Sequence, residues 1–594
     1  MKKIFIITWS VAALFAVSAC NDWLTVIPEQ EVADNYYTSE DAVRRNTATL
    51  YGYVWADFTN RFMWMAGDEL AGDLYYTYEQ EGQFYLNTIT AGNNYSNQGW
   101  TGLYRVVSFA NSIINDMPSL AQAGGVEQSV IDYAVAEARF IRGVAYYFLA
   151  EYWGEVPIIE NSTELITSNN LYVPKHIRGD VYRFIVEDLE AAAAVLGETD
   201  PQPGRATKYS AYGFLAKVYL TRASDFSDVY SSAAQRGEWF ERAKEYAQRV
   251  IDKLPTLYPD YGELFEESAN NSYESLFARQ CMGGEYDYGN QHTAGWARSS
   301  LIDQTAGWGA GKGPTISLQN SFRNEANGTP KAKTDKRRRW VYMTQDDSYP
   351  GLSNEGDGTY VYELVNRGAD HKEATPIENS NPMLAHCKKY VTGNSDAGYN
   401  TAVNIYFLRL ADVFLVYTEA AMGANRSTSD PTAVGYLNAV RERAGLDPLS
   451  APVTWEQLVY ERRCEFALEG VSWFDVKRYY YRYGDEAVTY LNSMHRDHTY
   501  VLKDGRVLDP ETGAVVSEDD TNVWEQHEKA DAAGKWEIEN NRDNYRLSFE
   551  KTDSETGVGT PLEIQAANIK QLPIPTSVTT KAPQLLGAAV AYYN

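Results

Sequence analysis

Apolar residues recur at helical spacing over several long stretches of the chain. The clearest is 137–153, where Phe140, Ile141, Val144, Ala145, Phe148, Leu149 and Tyr152 share one face. Gly154 stops this helix, and Val156-Pro157 cannot continue it. The same spacing predicts helices over 100–115 and 179–196, the second ending at Gly197. A further pair is predicted over 210–222 and 239–253, with Phe240, Ala243, Ala247 and Val250 lining one side of the latter. Helices resume at 407–423, 432–444 and 455–468, and the last runs on through Gly470 into 473–481. A first helix, 36–54, has Ser39 as N-cap and Glu40-Asp41 in its first turn. Antiparallel pairs with Ala at close-packing positions resemble degenerate tetratricopeptide units. Residues 21–35 form an extended arm. The segments 59–98, 268–400 and 484–560 are rich in polar, Gly and aromatic residues without a period, which predicts long ordered loops on a mainly α scaffold.

The N-terminus carries its own pattern. Lys2-Lys3 precede an apolar run from Ile4 to Val17, and Val17-Ser18-Ala19 lead into Cys20. That is a charged n-region, a hydrophobic h-region and a small-residue cleavage site, with cysteine directly after the cut. It resembles the lipobox of bacterial lipoproteins, in which Cys20 is acylated. The run falls short of the roughly 20 residues that span a bilayer. Residues 1–19 therefore read as a signal peptide and Cys20 as a lipid anchor.

Charge narrows the partners. The net charge of −27 repels phosphate backbones and anionic headgroups, so no nucleic acid is expected. Apart from Cys20, Cys281, Cys387 and Cys464 are too few and too scattered for a disulfide framework. The seven histidines show no metal-ligand spacing, so no metal is expected. Asn354-Glu-Gly-Asp-Gly358 offers oxygen ligands without calcium-loop spacing, which leaves Ca²⁺ unsupported. Gly309-Ala-Gly-Lys-Gly313 lacks the Ser or Thr of a phosphate loop after Lys312. Lys336-Arg-Arg-Arg339 reads as a local salt-bridged turn in an acidic exported protein.

Tyrosine is in excess: 45 residues, beside 14 Trp and 20 Phe. A flat apolar face with a polar tip matches the C–H face and hydroxyl rim of a sugar ring, and helix–helix cores consume the same residues.

Five segments together resemble the SusD/RagB family of Bacteroidetes surface lipoproteins. They are Glu137-Ala-Arg-Phe-Ile-Arg-Gly-Val-Ala-Tyr-Tyr-Phe-Leu running on to Gly154-Glu-Val-Pro157; Phe407-Leu-Arg-Leu-Ala-Asp-Val-Phe-Leu leading to Thr418-Glu-Ala-Ala421; Leu437-Asn-Ala-Val-Arg-Glu-Arg-Ala-Gly445; Glu461-Arg-Arg-Cys-Glu-Phe-Ala-Leu-Glu-Gly470 followed by Trp473-Phe-Asp-Val-Lys-Arg478; and Leu572-Pro-Ile-Pro575. Ser472 stands where the family usually has a basic residue. The resemblance implies one SusD-like domain over 20–594, with a helical part to 265 and a loop-rich part over 266–594. It also implies an outer-membrane location facing the cell exterior, a SusC-like TonB-dependent transporter as partner, and glycan capture without catalysis; some relatives handle peptides. Within the motifs, Arg409, Asp412 and Glu419, and Glu461, Arg462, Glu465 and Glu469, read as buried ion pairs that fix helix register rather than as a carboxylate site.

A sugar site needs aromatic platforms with amide, hydroxyl or guanidinium groups around them. Two loop regions supply that mixture. The first holds Trp64, Tyr75, Tyr76, Tyr78, Phe84, Tyr85, Asn93, Asn94 and Tyr95; the second holds Tyr286, Tyr288, Asn290, Gln291, Trp296, Arg298 and Trp308. The competing role for each ring is to anchor its loop on the helical core. The rival function is an α-helical glycoside hydrolase, which needs two carboxylates flanking the scissile bond.

Overall fold

The computed structural model describes residues 36–494 apart from 169–171, 285–286, 304–310, 345–346 and parts of 363–398, together with 496, 499–500, 547–548 and 563–593. The signal segment, the arm and Cys20 lie outside the described residues, as does most of 495–562.

Local chemistry sets the helix starts. Helix α1 (Glu40–Ala48) begins where the Ser39 side chain accepts from the Ala42 N–H at 3.3 Å. Past it the chain tightens into two 3₁₀ turns, Thr49–Tyr51 and Tyr53–Trp55, and then α2 (Ala56–Arg61). The expected single helix over 36–54 is thus shorter, and the expected loop over 59–98 holds helical turns instead. Among these is a π-turn, Met65–Glu69, packed so closely on Gly470 that a Cβ on Gly67 would meet the Gly470 carbonyl carbon at 2.1 Å. Helix α3 spans Asn94–Asn115, six residues earlier than its apolar period begins, because Asn93 caps it by accepting from Ser96 N–H at 3.0 Å.

The long pairs follow. Helix α4 (Gln128–Trp153) packs between α3 and α5 (Arg178–Val195); α6 (Lys208–Ser224) packs against α5 and α7 (Ala233–Lys253). Capping boxes, Thr207 with Ser210 and Ser232 with Gln235, start α6 and α7. Gly154, at φ 74°, ends α4 in a conformation that only glycine adopts without strain. The Leu572 N–H then donates to Tyr152 O at 2.9 Å, which lays the C-terminal Leu-Pro-Ile-Pro segment along the end of α4.

The C-terminal half returns to this core. Strand β2 (Ser275–Arg279) pairs antiparallel with β4 (Ile405–Arg409), the expected helix over 407–423 starting only at α8 (Leu410–Met422). Phe277 and Phe407 from these two strands meet Trp55, Phe58, Phe140 and Phe148 in one aromatic cluster with centroids 4.7 to 6.3 Å apart. Burying each such side chain contributes about 1.5–3 kcal/mol. The N-terminal helices and the C-terminal part therefore share one hydrophobic core. Short strands β1 (Leu74–Tyr75) and β3 (Gly313–Pro314) pair nearby, Leu74 opposite Pro314 and Tyr75 opposite Gly313.

Helices α9 (Pro431–Arg443), α10 (Trp455–Phe466) and α11 (Ser472–Tyr483) bring the charged motif residues together in the interior. Arg409 bonds Glu274 at 2.8 Å, Glu465 at 3.0 Å and Glu469 at 2.7 Å. Asp412 pairs with Lys217 at 2.6 Å and with Arg462 at 2.8 Å; Arg478 pairs with Glu419 at 3.0 Å. All are buried, so the polar stripe on these helices is scaffold. From Lys336–Arg339, which has exposed ends, Arg337 joins the same interior: fully enclosed, it pairs with Asp335, Glu461 and Glu465. The expected loop after 484 opens instead with α12 (Asp485–Ser493).

Candidate functional site

Helix α2 positions a stacked, solvent-open aromatic surface. Trp55 and Phe58 are pinned in the core, so Asp57 and Arg61, one turn apart, project from the opposite side. Tyr53, 44 % exposed, stands at the same edge. Its ring stacks on that of Tyr288, itself 40 % exposed, with centroids 5.2 Å apart and planes inclined by 27°. Arg105 of α3 lies 6.0 Å over the Tyr53 ring and pairs with Asp57 at 2.8 Å.

The Tyr288 loop is held from both sides. Asn60 donates to Gly289 O at 3.1 Å, and Asn290 donates through its side chain to Val403 O at 3.1 Å. A Cβ on Gly289 would meet Met282 O at 2.6 Å and Asn400 at 2.7 Å, so the loop crosses here without room for a side chain. Arg61 closes the arrangement by pairing with Asp287 at 2.9 Å and donating to Gln291 Oε1.

A second tyrosine group continues from Arg61. Tyr95 is half-buried in the first turn of α3; burial, then the carboxylates of Glu81 and Glu79, raises its hydroxyl pKa, with Arg61 opposing. Burial, with Glu81 next in weight, also pushes the Tyr76 hydroxyl up to about 12. Tyr76 lies 6.3 Å from Tyr78, which is 62 % exposed. The β1–β3 pairing sets Lys312 beside Tyr76: its ammonium lies 4.7 Å from that ring, 4.5 Å from the Trp64 ring, and 2.8 Å from Glu81. The glycine-rich segment at Lys312 thus ends in an ion pair.

Other expected contacts sit beneath this surface. Trp64, Tyr75 and Trp296 are buried, so their faces are closed to solvent, contrary to the expectation of open platforms. Trp64 meets Trp296 edge-on at 6.0 Å, and Trp296 meets His292 at 4.5 Å. Burial, then the charges of Arg279 and Lys312, lowers the His292 pKa to about 3, so this imidazole is neutral packing. Tyr75 meets the buried Tyr85. Asn93 is enclosed too: besides capping α3, it donates to Gln80 O and Gln83 Oε1 at 2.7 and 2.9 Å. The reason is common to all four. Each is closed over by neighbouring elements, where an unfilled gap would forfeit packing. Arg298 is half-buried over the Tyr362 ring, 4.5 Å from its centroid. Tyr286 and Trp308 lie outside the described residues.

Sequence reading missed Tyr53, Asp57, Arg61 and Arg105. A signal existed: Tyr53, Asp57 and Arg61 recur every fourth residue, while Val54, Trp55 and Phe58 between them are apolar.

Chemically, the surface offers flat ring faces bordered by guanidinium and amide donors and carboxylate acceptors. That mixture can hold polyhydroxylated, partly apolar molecules. Among the described residues no group of three or more His, Cys, Asp or Glu could hold a metal ion, and Asn354–Gly358 forms the turn between two short strands, Ser348–Pro350 and Thr359–Val361.

Comparison with known proteins bears on this geometry. Residues 273–590 match the model of the SusD family, and residues 22–220 match one described as starch-binding, associating with outer membrane. A SusD-like protein of Bacteroides ovatus is 33 % identical over 513 residues, 84 % of this chain and 86 % of that protein. The starch-binding protein SusD of Bacteroides thetaiotaomicron is 26 % identical over 58 % of this chain and 64 % of its own length. A crystal structure with xylogluco-oligosaccharide superposes with a TM-score of 0.72 at 27 % identity, covering 93 % of this chain and 99 % of that one.

Proposed function

Because the chain belongs to the SusD/RagB family, we propose that it is a non-catalytic, cell-surface glycan-binding lipoprotein. It captures oligo- or polysaccharide and delivers it to a SusC-like TonB-dependent outer-membrane transporter. The observation that carries the reading is the solvent-open Tyr53–Tyr288 stack, flanked by Arg61, Arg105 and Gln291. A starch-binding relative and a relative crystallised with xylogluco-oligosaccharide agree with a sugar as ligand. The anchor in this reading is Cys20, exposed after removal of residues 1–19, with 20–594 forming one SusD-like domain. No helix among the described residues is long and apolar enough to cross a membrane.

Capture is preferred to hydrolysis for a physical reason. A hydrolase needs a carboxylic acid of raised pKa that touches its substrate. Among the described residues, Asp68, Glu69, Glu81 and Asp188 have raised pKa values, chiefly from burial, and all four are buried. Glu266, raised by burial too, is part-exposed but pairs with Lys388 at 3.6 Å, outside the tyrosine stack's own ion pairs.

The test is affinity electrophoresis and calorimetry of the soluble form lacking residues 1–20 against a polysaccharide panel. Retention without release of shorter products supports capture. Product release supports a hydrolase, and a peptide found by native mass spectrometry supports peptide capture instead. Co-purification of the lipidated protein with a β-barrel tests the transporter.

A further inference from the structure

The charges bordering the tyrosine surface narrow its ligand. Arg61 pairs with Asp287 at 2.9 Å, Arg105 with Asp57 at 2.8 Å, and Lys312 with Glu81 at 2.8 Å. A fourth cation, Arg279, lies underneath with no exposure, donating to Thr59 Oγ1 and to Asp287 O. It cannot reach a ligand. Glu79, exposed beside Tyr78, adds one more carboxylate at the rim. Around these rings, each described cation is therefore either matched by its own carboxylate or sealed.

A uronate or sulfate arriving here would have to displace, or share its cation with, the carboxylate of one of these pairs. Either way the Asp or Glu would stand beside the ligand's own anion, and like charges brought together disfavour binding. The protein's overall field works in the same direction. A sugar hydroxyl makes no such demand: it can donate to a paired carboxylate or accept from a paired guanidinium without separating the two. The rings contribute to either kind of ligand, so charge makes the selection.

Resting on the capture reading above, we infer that the surface built on Tyr53, Tyr288, Tyr76 and Tyr78 selects uncharged glycans and rejects polysaccharides bearing uronic acid or sulfate groups. Its ion pairs act as hydroxyl-reading clamps.

The experiment compares the soluble protein lacking residues 1–20 against two panels. One holds neutral polymers: xyloglucan, starch, laminarin and galactomannan. The other holds anionic ones: polygalacturonate, alginate and a sulfated galactan. Retention by at least one neutral polymer and by no anionic one is expected, with an affinity that changes less than about twofold between low and physiological salt. The Asp57→Asn/Asp287→Asn variant frees Arg61 and Arg105, and is expected to gain salt-sensitive retention by polygalacturonate. Wild-type protein that binds an anionic polymer as tightly as any neutral one overturns the inference while leaving capture intact. Failure to bind either panel overturns capture itself, and the inference with it.

Discussion

Tyr53 and Tyr288 share one stack although the 3₁₀ turn and the loop that carry them lie far apart along the chain. Each ring covers one face of the other, Arg105 lies over Tyr53, and both rings keep solvent-exposed surface for a ligand. Removing both rings deletes the platform without opening the core. The Tyr53→Ala/Tyr288→Ala variant is expected to lose roughly 10- to 100-fold in glycan affinity by calorimetry, the equivalent of about 1.5–3 kcal/mol of ring burial. Its thermal midpoint should stay within a few degrees of the parent.

Trp296 behaves in the opposite way. It is 1 % exposed and braced by Trp64 and His292. Trp296→Ala should destabilise the fold by about 3–5 kcal/mol in urea titration. Trp296→Phe should keep glycan affinity within about twofold, since an enclosed ring of similar shape serves packing alone. A large loss of affinity in a well-folded Trp296→Phe protein would give this residue a ligand role.

Arg409 joins three buried carboxylates, each of which also pairs with a second cation: Glu274 and Glu465 with Arg443, and Glu469 with Lys389. Arg409→Met leaves Glu274, Glu465 and Glu469 in the interior without the one cation that all three share. Breaking a buried pair from one side costs about 3–5 kcal/mol, so this variant should unfold at markedly lower urea concentration or fail to accumulate.

The same network sets an acid limit. Burial alone would raise the Glu465 pKa, but Arg443, Arg409 and Arg337 overcome it and lower the value to about 2. Asp412 is held well below the usual carboxylate range by Lys217 and Arg462, again against burial. A carboxylate depressed in the folded state stabilises the fold above its unfolded pKa, and that contribution is lost as pH falls through the folded value. The urea midpoint should therefore hold nearly level from neutral pH to about 5, then drop as pH falls from about 4.5 towards 2.

Glu69 carries the reverse sign. It is fully buried, both carboxylate oxygens lack a hydrogen-bond partner among the described residues, and burial followed by the charge of Glu81 raises its pKa. A raised carboxyl makes the ionised protein less stable at higher pH. Glu69→Gln should raise the urea midpoint at pH 8 by the equivalent of about 1–3 kcal/mol, and the gain should vanish at about pH 4.

Much of the helical scaffold was legible along the chain because its signals are local. The apolar period through Phe140, Ile141 and Val144, the Ser39 cap and the stop at Gly154 lie within a few residues of what they control. The paired charges of Arg409, Asp412 and Glu465 were legible as scaffold because they sit on otherwise apolar faces. The start of α3 was not, since its cap Asn93 precedes the apolar period.

Which rings face water was decided only by the tertiary structure. Trp64, Tyr75, Tyr78 and Trp296 come from similar loop sequence, yet only Tyr78 is exposed. A ring's exposure depends on what packs over it, and those partners are remote: Asn60 holds Gly289 across 229 positions to bring Tyr288 onto Tyr53. The sequence by itself determined the periodic helices and the aromatic supply. The shared core around Phe277 and Phe407 decided where the flat surface lies, because hydrophobic burial depends on the area removed from water and not on distance along the chain.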